Sequence, residues 1–206
     1  MNRTFLILLM IGTALMIAVI GDKDIEQSAD AMPWNIQVLD NGATRIMGIT
    51  LSKTNIQDAH QIFSHFSETR LFTRDDKSEL LAHFDEFNMA GLLAEIDLVY
   101  DISETHLEKV RRQATNTRHN EYQLVRESML MDLLTTPVKQ LIYKPFIDYD
   151  SDIITQRFGP ATDHETVSET VEKLSYPAIG LVIYLNSDGT DKFVYSLIDS
   201  TAEEKN

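Results

Sequence analysis

The stretch from Leu80 to Tyr100, "LLAHFDEFNMAGLLAEIDLVY", most narrows what this chain can fold into. Apolar and polar residues alternate in two runs, Leu80, Ala82 and Phe84, then Ala94, Ile96 and Leu98, on either side of a turn containing Gly91. Side chains of a strand point alternately to opposite faces, so each run makes a strand with one buried face. The turn folds the two into an antiparallel hairpin. A sheet with one apolar face has to be covered, and the flanking sequence must supply the cover.

Several segments fit that need. "WNIQVLDNGATRIMGIT" sets Asn41-Gly42 between two β-prone runs, a strong hairpin signal. Thr54 with Gln57 reads as a capping box, and Ile56, Ala59, Ile62, Phe63 and Phe66 follow at helical spacing. Thr105 with Glu108 reads as a second capping box ahead of Leu107, Val110 and Ala114, and "RESMLMDLL" predicts a further short helix before Pro137. "VKQLIYKP" reads as a strand, and "DYDSDIITQRFGP" as a short helix stopped by Gly159-Pro160. The segment "EKLSYPAIGLVIYLNSDGTDKFVYSLI" holds two or three strands, with residues 186–189 as the last turn.

The N-terminus is of another kind. After Arg3, the 18 residues from Thr4 to Gly21 are uncharged and mostly apolar, with no polar face at a helical period. At about 1.5 Å per residue such a run spans roughly 27 Å, enough to cross a hydrocarbon core of about 30 Å with little tilt. Residues 1–21 therefore read as a retained signal anchor or a cleaved signal peptide, the anchor being favoured because the run exceeds a usual signal-peptide core. The alternative is cleavage after "ADA", Ala29 to Ala31, which releases a soluble periplasmic protein. Arg3 before the run and acids after it place the body outside the cytoplasm, in the periplasm of a bacterial inner-membrane protein. Residues 22–33 read as a linker, 34–199 as a periplasmic domain and 200–206 as a tail.

Within the domain the halves echo each other. "IFSHF" and "ITQRF" both close a short helix with phenylalanine, Phe66 and Phe158, and each is followed by an apolar strand. Two helix-then-meander units, roughly 34–102 and 139–199, joined by a helical segment, are the expected layout, with both phenylalanines buried. The unit "ITQRFGPAT" followed by "LSYPAIGLVIYL" resembles the BamE-like (SmpA/OmlA) envelope domains. The order from "PWNIQVLDNGATRIMGITL" through "LIYKPF" and "RFGPA" to "LSYP" is similar to a group of uncharacterised proteobacterial envelope proteins over most of residues 33–199. The resemblance implies an α+β fold, antiparallel meanders packed with short helices as two BamE-like units; the apolar run sets one N-terminal transmembrane or signal helix before it. The resemblance also implies a non-enzymatic adaptor.

Composition excludes several classes of function. A formal net charge of -14 disfavours nucleic acid, whose phosphates need clustered Lys and Arg. With no cysteine, the chain has no disulfide, zinc-thiolate site, cysteine nucleophile or lipobox. Asp148, Asp150 and Asp152 alternate as in a calcium loop, but the positions that should hold Gly and Glu are Ile153 and Gly159, so Asp150 and Asp152 read as helix caps. His60 and His65, five apart, would lie about 140° apart on one helix and cannot chelate one ion. His83 and Asp85 share a strand face, yet no serine motif, HExxH or glycine-rich loop accompanies them. The basic run with Lys109, Arg111, Arg112, Arg118 and Arg126 reads as a solvated helix face, and Phe158, Tyr176, Tyr184, Phe193 and Tyr195 as core or cross-strand aromatics.

The sequence therefore assigns no catalytic, cofactor-binding or metal residue and no cofactor. It predicts a non-enzymatic envelope protein, held in the membrane through residues 4–21, that binds a protein partner as an adaptor or assembly factor. The alternatives are a secreted ligand-binding or inhibitor-like module and a periplasmic enzyme using His83 and Asp85. N-terminal sequencing of the mature protein separates anchor from leader: retention of Met1 is expected, whereas a start at Met32 would mean cleavage.

Overall fold

The structure is a computed structural model, and its described residues are 32–40, 42–74, 77–89, 91–117 and 122–198. The 4–21 run, Asn41, Arg118 and the 200–206 tail lie outside them; among the described residues no helix is long and apolar enough to cross a membrane.

The fold is α+β, with a large antiparallel sheet and four short helices among the described residues. It begins with a small three-stranded sheet, β1 (Gln37–Val38), β2 (Thr44–Ile46) and β3 (Ile49–Thr50). The expected hairpin is present: β1 pairs antiparallel with β2, and Gly42 closes the turn at φ 75°. Helix α1 (Ile56–Phe63) follows, then the meander β4 (Glu68–Arg74), β5 (Lys77–Met89) and β6 (Leu92–Tyr100). Helix α2 (Glu104–Gln113), the short strands β7 (Thr115–Asn116) and β8 (Gln123–Leu124), and helix α3 (Glu127–Leu133) form the middle. Strand β9 (Val138–Pro145) and helix α4 (Ser151–Phe158) lead into a second meander, β10 (Asp163–Thr166), β11 (Val171–Tyr176), β12 (Leu181–Asn186) and β13 (Lys192–Ser196).

All of the later strands join one ten-stranded sheet, in the order β10-β11-β12-β13-β9-β6-β5-β4-β8-β7. The two meanders meet at its centre, where β6 pairs with β9 through Ile96↔Tyr143 and Leu98↔Leu141. One face is the main core: Leu80, Ala82 and Phe84 of β5 and Ala94, Ile96 and Leu98 of β6 are all buried, as their alternation requires. Ile46 and Ile49 from the small sheet, Ile56, Ala59 and Phe63 from α1, Leu107 and Val110 from α2, and Met129, Leu133 and Ile154 from α3 and α4 join the same cluster. Of the C-terminal aromatics, Tyr176, Phe193 and Tyr195 are buried in this core and Phe158 packs against it, while Tyr184 is half-buried.

The helix starts differ from the capping boxes. Helix α1 is capped by Asn55, whose side chain accepts from Asp58 N at 2.8 Å, while Thr54 turns back to accept from Thr50 N at 2.9 Å. Helix α2 starts from Ser103, without a side-chain cap bond, which puts Thr105 inside the helix. The local Asx geometry at Asn55 and the tight turn after β3 win over the more distant Thr-Gln pattern.

The equivalence of Phe66 and Phe158 is also overturned. Phe66 is 90% exposed, because α1 stops at Ser64 in a left-handed conformation (φ 54°) and Phe66 falls beyond the helix. Phe158 sits inside α4, with its ring 5.9 Å from Tyr176 and 6.1 Å from Phe193. The domain's N-terminal edge is tied down by Tyr195, whose hydroxyl donates to Pro33 O at 2.8 Å, and by Arg157, stacked 4.3 Å above the Trp34 ring. Gly180 marks the tightest backbone approach, since a Cβ there would lie 2.2 Å from Ser196 O at φ 65°.

Urea melts test this burial pattern: Phe84→Ala, which empties a fully buried ring site, should cost about 3–5 kcal/mol, whereas Phe66→Ala should stay within about 0.5 kcal/mol.

Candidate functional site

Two surfaces gather the side chains that can do more than pack. The first lies on the sheet face opposite the main core. There Leu81, Val99 and Ile142 form a small apolar cluster with Phe72, and the polar group begins two residues further along the strands. His83 of β5 sits directly across from Asp97 of β6, and its Nδ1–H donates to Asp97 Oδ1 at 2.6 Å. Lys144 of β9 reaches Asp97 Oδ2 at 2.6 Å and Glu95 Oε2 at 3.6 Å. His83 and Asp97 are each about 5% exposed as side chains, so this is a buried triad whose only wet member is the part-exposed Lys144.

Burial raises the cost of ionising Asp97, but the His83 hydrogen bond, the Lys144 charge and hydrogen bond, and the His83 charge together hold its carboxyl below the ordinary range. The paired expectation for His83 and Asp85 is half met. Both lie on the same strand face and a ring nitrogen of His83 is within 4.8 Å of carboxylate oxygens of Asp85 and Glu95, but the hydrogen-bond partner of His83 is Asp97, and Asp85 is exposed.

A β-bulge shapes this site. On β5 the register shifts between Phe84 and Phe87, so Asp85 and Glu86 together face Glu95, and Glu86 takes a left-handed φ of 45°. The signal was in the sequence: Phe84 and Phe87 are both buried on one face although three residues apart, a spacing that a regular strand cannot give.

The second surface is a groove of about 650 Å³ between α1, the following loop and α3. Ile56, Leu130, Leu134, Tyr100 and the exposed ring of Phe66 line it, with His60 and His65 at its wall, and among the described residues no Asp, Glu, Lys or Arg takes part. His60 bonds Ser67 Oγ at 2.9 Å and packs edge-on against Phe66 at 5.3 Å, while His65 Nδ1 donates to Phe63 O at 2.9 Å. The two histidines serve different partners, and they do not share a helix as expected, because α1 ends at Phe63 and His65 lies beyond it. Burial lowers the His60 pKa, which keeps its ring neutral near pH 7, and burial pushes the Tyr100 hydroxyl, bonded to Thr69 Oγ1 at 3.1 Å, up to about 12. Sequence reasoning placed Phe66 in the core and so missed this groove.

The remaining candidates resolve structurally. Asp150 caps α4, accepting from Ile153 N at 2.7 Å, and Asp152 lies in the first turn, as expected. Asp148 and Asp150 border an acidic hollow of about 470 Å³ with Glu169, Glu172 and Asp191, but buried Asp191 is already committed to the backbone N–H groups of Tyr149 and Asn186 at 2.7 and 2.9 Å. In the basic run, Arg111 pairs with Glu108 at 3.0 Å, and Lys109, Arg112 and Arg126 are exposed. No protein-family model, curated protein or solved structure matches this chain.

Because the folded Asp97 carboxyl titrates below its ordinary value, its ionised form contributes stability in full at pH values above about 3.9, and this contribution is lost as the pH falls from there through the lowered folded-state pKa. Urea midpoints followed from about pH 7 to pH 3 should fall steeply at the acid end for the wild type, and Asp97→Asn should start lower at pH 7 and flatten that fall.

Proposed function

We propose that this chain is a membrane-anchored, periplasm-facing envelope protein that works by binding another protein, and that the groove beside Phe66 is where the partner docks. The single observation that carries the reading is the composition of that groove. In a chain of formal net charge -14 its lining has, among the described residues, no Asp, Glu, Lys or Arg, and it presents a phenylalanine that is 90% exposed. Depletion of charge around an aromatic anchor is the compositional mark of an interface centre rather than of an ordinary acidic surface. The proposed occupant is an apolar stretch of a protein partner, whose side chains would meet Ile56, Leu130 and Leu134 while the neutral His60 ring adds no charge to desolvate.

The envelope address rests on the uncharged run 4–21 and on Arg3 before it. The layout as two BamE-like units behind a transmembrane or signal helix belongs to the same proposal. What supports it is that α1 and α4 are each followed by an antiparallel meander. The exposure of Phe66, unlike that of Phe158, turns the first of these units into the recognition half.

Photo-crosslinking tests the reading. A benzoylphenylalanine placed at residue 66 in the producing cells should give a discrete protein adduct, diminished by Leu134→Asp, while the same probe at exposed Arg112 should not. Adducts of equal yield from both positions, or none from residue 66, would remove the groove as a docking site.

A further inference from the structure

We propose that His83, Asp85 and Glu95 form a binding site for one divalent transition-metal ion at the β5 bulge. A ring nitrogen of His83 and one carboxylate oxygen each from Asp85 and Glu95 already lie within 4.8 Å of one another. Around one ion with ligand bonds of about 2.0–2.2 Å, such atoms stand about 3.4 Å apart in a tetrahedron. The remaining adjustment falls on side chains that can make it, since Asp85 is exposed and Glu95 half-buried.

The independent pointer is His83 itself. Its side chain is 95% buried and its Nδ1–H is held by Asp97, so Nε2 is the ring nitrogen left to a metal. In the neutral ring that arrangement leaves the Nε2 lone pair as the open donor. A carboxylate holding Nδ1–H is the outer support that metal-bound histidines ordinarily have, and here Lys144 fixes that carboxylate in turn at 2.6 Å.

Charge points the same way. The bulge sets Asp85 beside Glu95 across the β5–β6 pair, where like charges are mutually destabilising. Lys144 is spent chiefly on Asp97, being 3.6 Å from Glu95, and Asp85 has no ion-pair partner among the described residues. An ion would neutralise this pair and complete a one-nitrogen, two-oxygen set, with further positions left to water. The imidazole selects a transition metal over calcium or magnesium, which prefer all-oxygen cages. This site does not depend on the groove or its partner.

The test is titration of the full chain with zinc chloride, and separately with manganese chloride, against calcium chloride as a control. Binding of one zinc or manganese ion per chain is expected, weakened at least about tenfold by Asp85→Asn and by Glu95→Gln, and unchanged by Asp150→Asn with Asp152→Asn. Both site variants alter side chains outside the buried core, so folding should persist and can be checked by circular dichroism. Long-range 1H–15N spectra should show zinc displacing the His83 Nε2 resonance. Failure of both metals to bind, equal affinity in the carboxamide variants, or an unmoved His83 resonance would each overturn the site.

Discussion

The pairing of β6 with β9 is the contact on which the rest of the molecule depends. These strands belong to different halves of the chain and are separated in sequence by two helices, yet their register, Ala94↔Pro145 through Tyr100↔Val138, joins two meanders into one sheet. Without it each meander would leave a long edge and half a core open to water. With it, Ile96, Leu98, Leu141 and Tyr143 meet on one face and the helices and small N-terminal sheet close over a single core. The same seam places Lys144 beside Asp97 and Glu95 on the opposite face. One long-range pairing therefore builds both the core and the polar cluster.

Local pattern made much of the architecture legible. The alternations around Gly91, the Asn41-Gly42 turn, the apolar spacing in α1 to α4 and the Gly159 stop are short-range signals, and a short-range cause fixes each one. Sheet order was not legible, because which edge of one meander meets which edge of the other depends on long-range burial that no spacing records. The faint strands β4, β7, β8 and β10 escaped for a related reason. All four residues of β10 are exposed, so no hydrophobic alternation marks it.

The candidate site failed to show itself for a sharper reason. Near the turn, β5 and β6 pair Met89↔Leu92 and Phe87↔Ala94, and continuing that register would set His83 opposite Leu98. The bulge slips the register by one, so that His83 meets Asp97 instead. A reader with the sequence alone finds Asp85, two residues away on the same strand, and has no reason to choose Asp97. Only the odd Phe84-to-Phe87 spacing hints at the slip. Likewise, Phe66 sits at an apolar helical position on paper, and only the left-handed turn at Ser64 lifts it out of the helix and into solvent.

Both departures from regular structure occur where the chain leaves its ideal geometry in non-glycine residues with positive φ, Ser64 at 54° and Glu86 at 45°. Such conformations cost of order 1–3 kcal/mol each and persist when the surrounding packing over-determines them. At Ser64 the constraint is Phe63, locked in the core against Phe84 and Phe87, after which the chain must turn at once to enter β4. At Glu86 it is the same pair of rings: Phe84 and Phe87 both need the core face, and three residues of strand can satisfy both only if one residue is set aside in a bulge. The aromatic cluster of Phe63, Phe84 and Phe87 thus fixes an exposed phenylalanine on one surface and a misaligned aspartate on the other. Core packing and the two candidate binding surfaces are consequences of the same three rings.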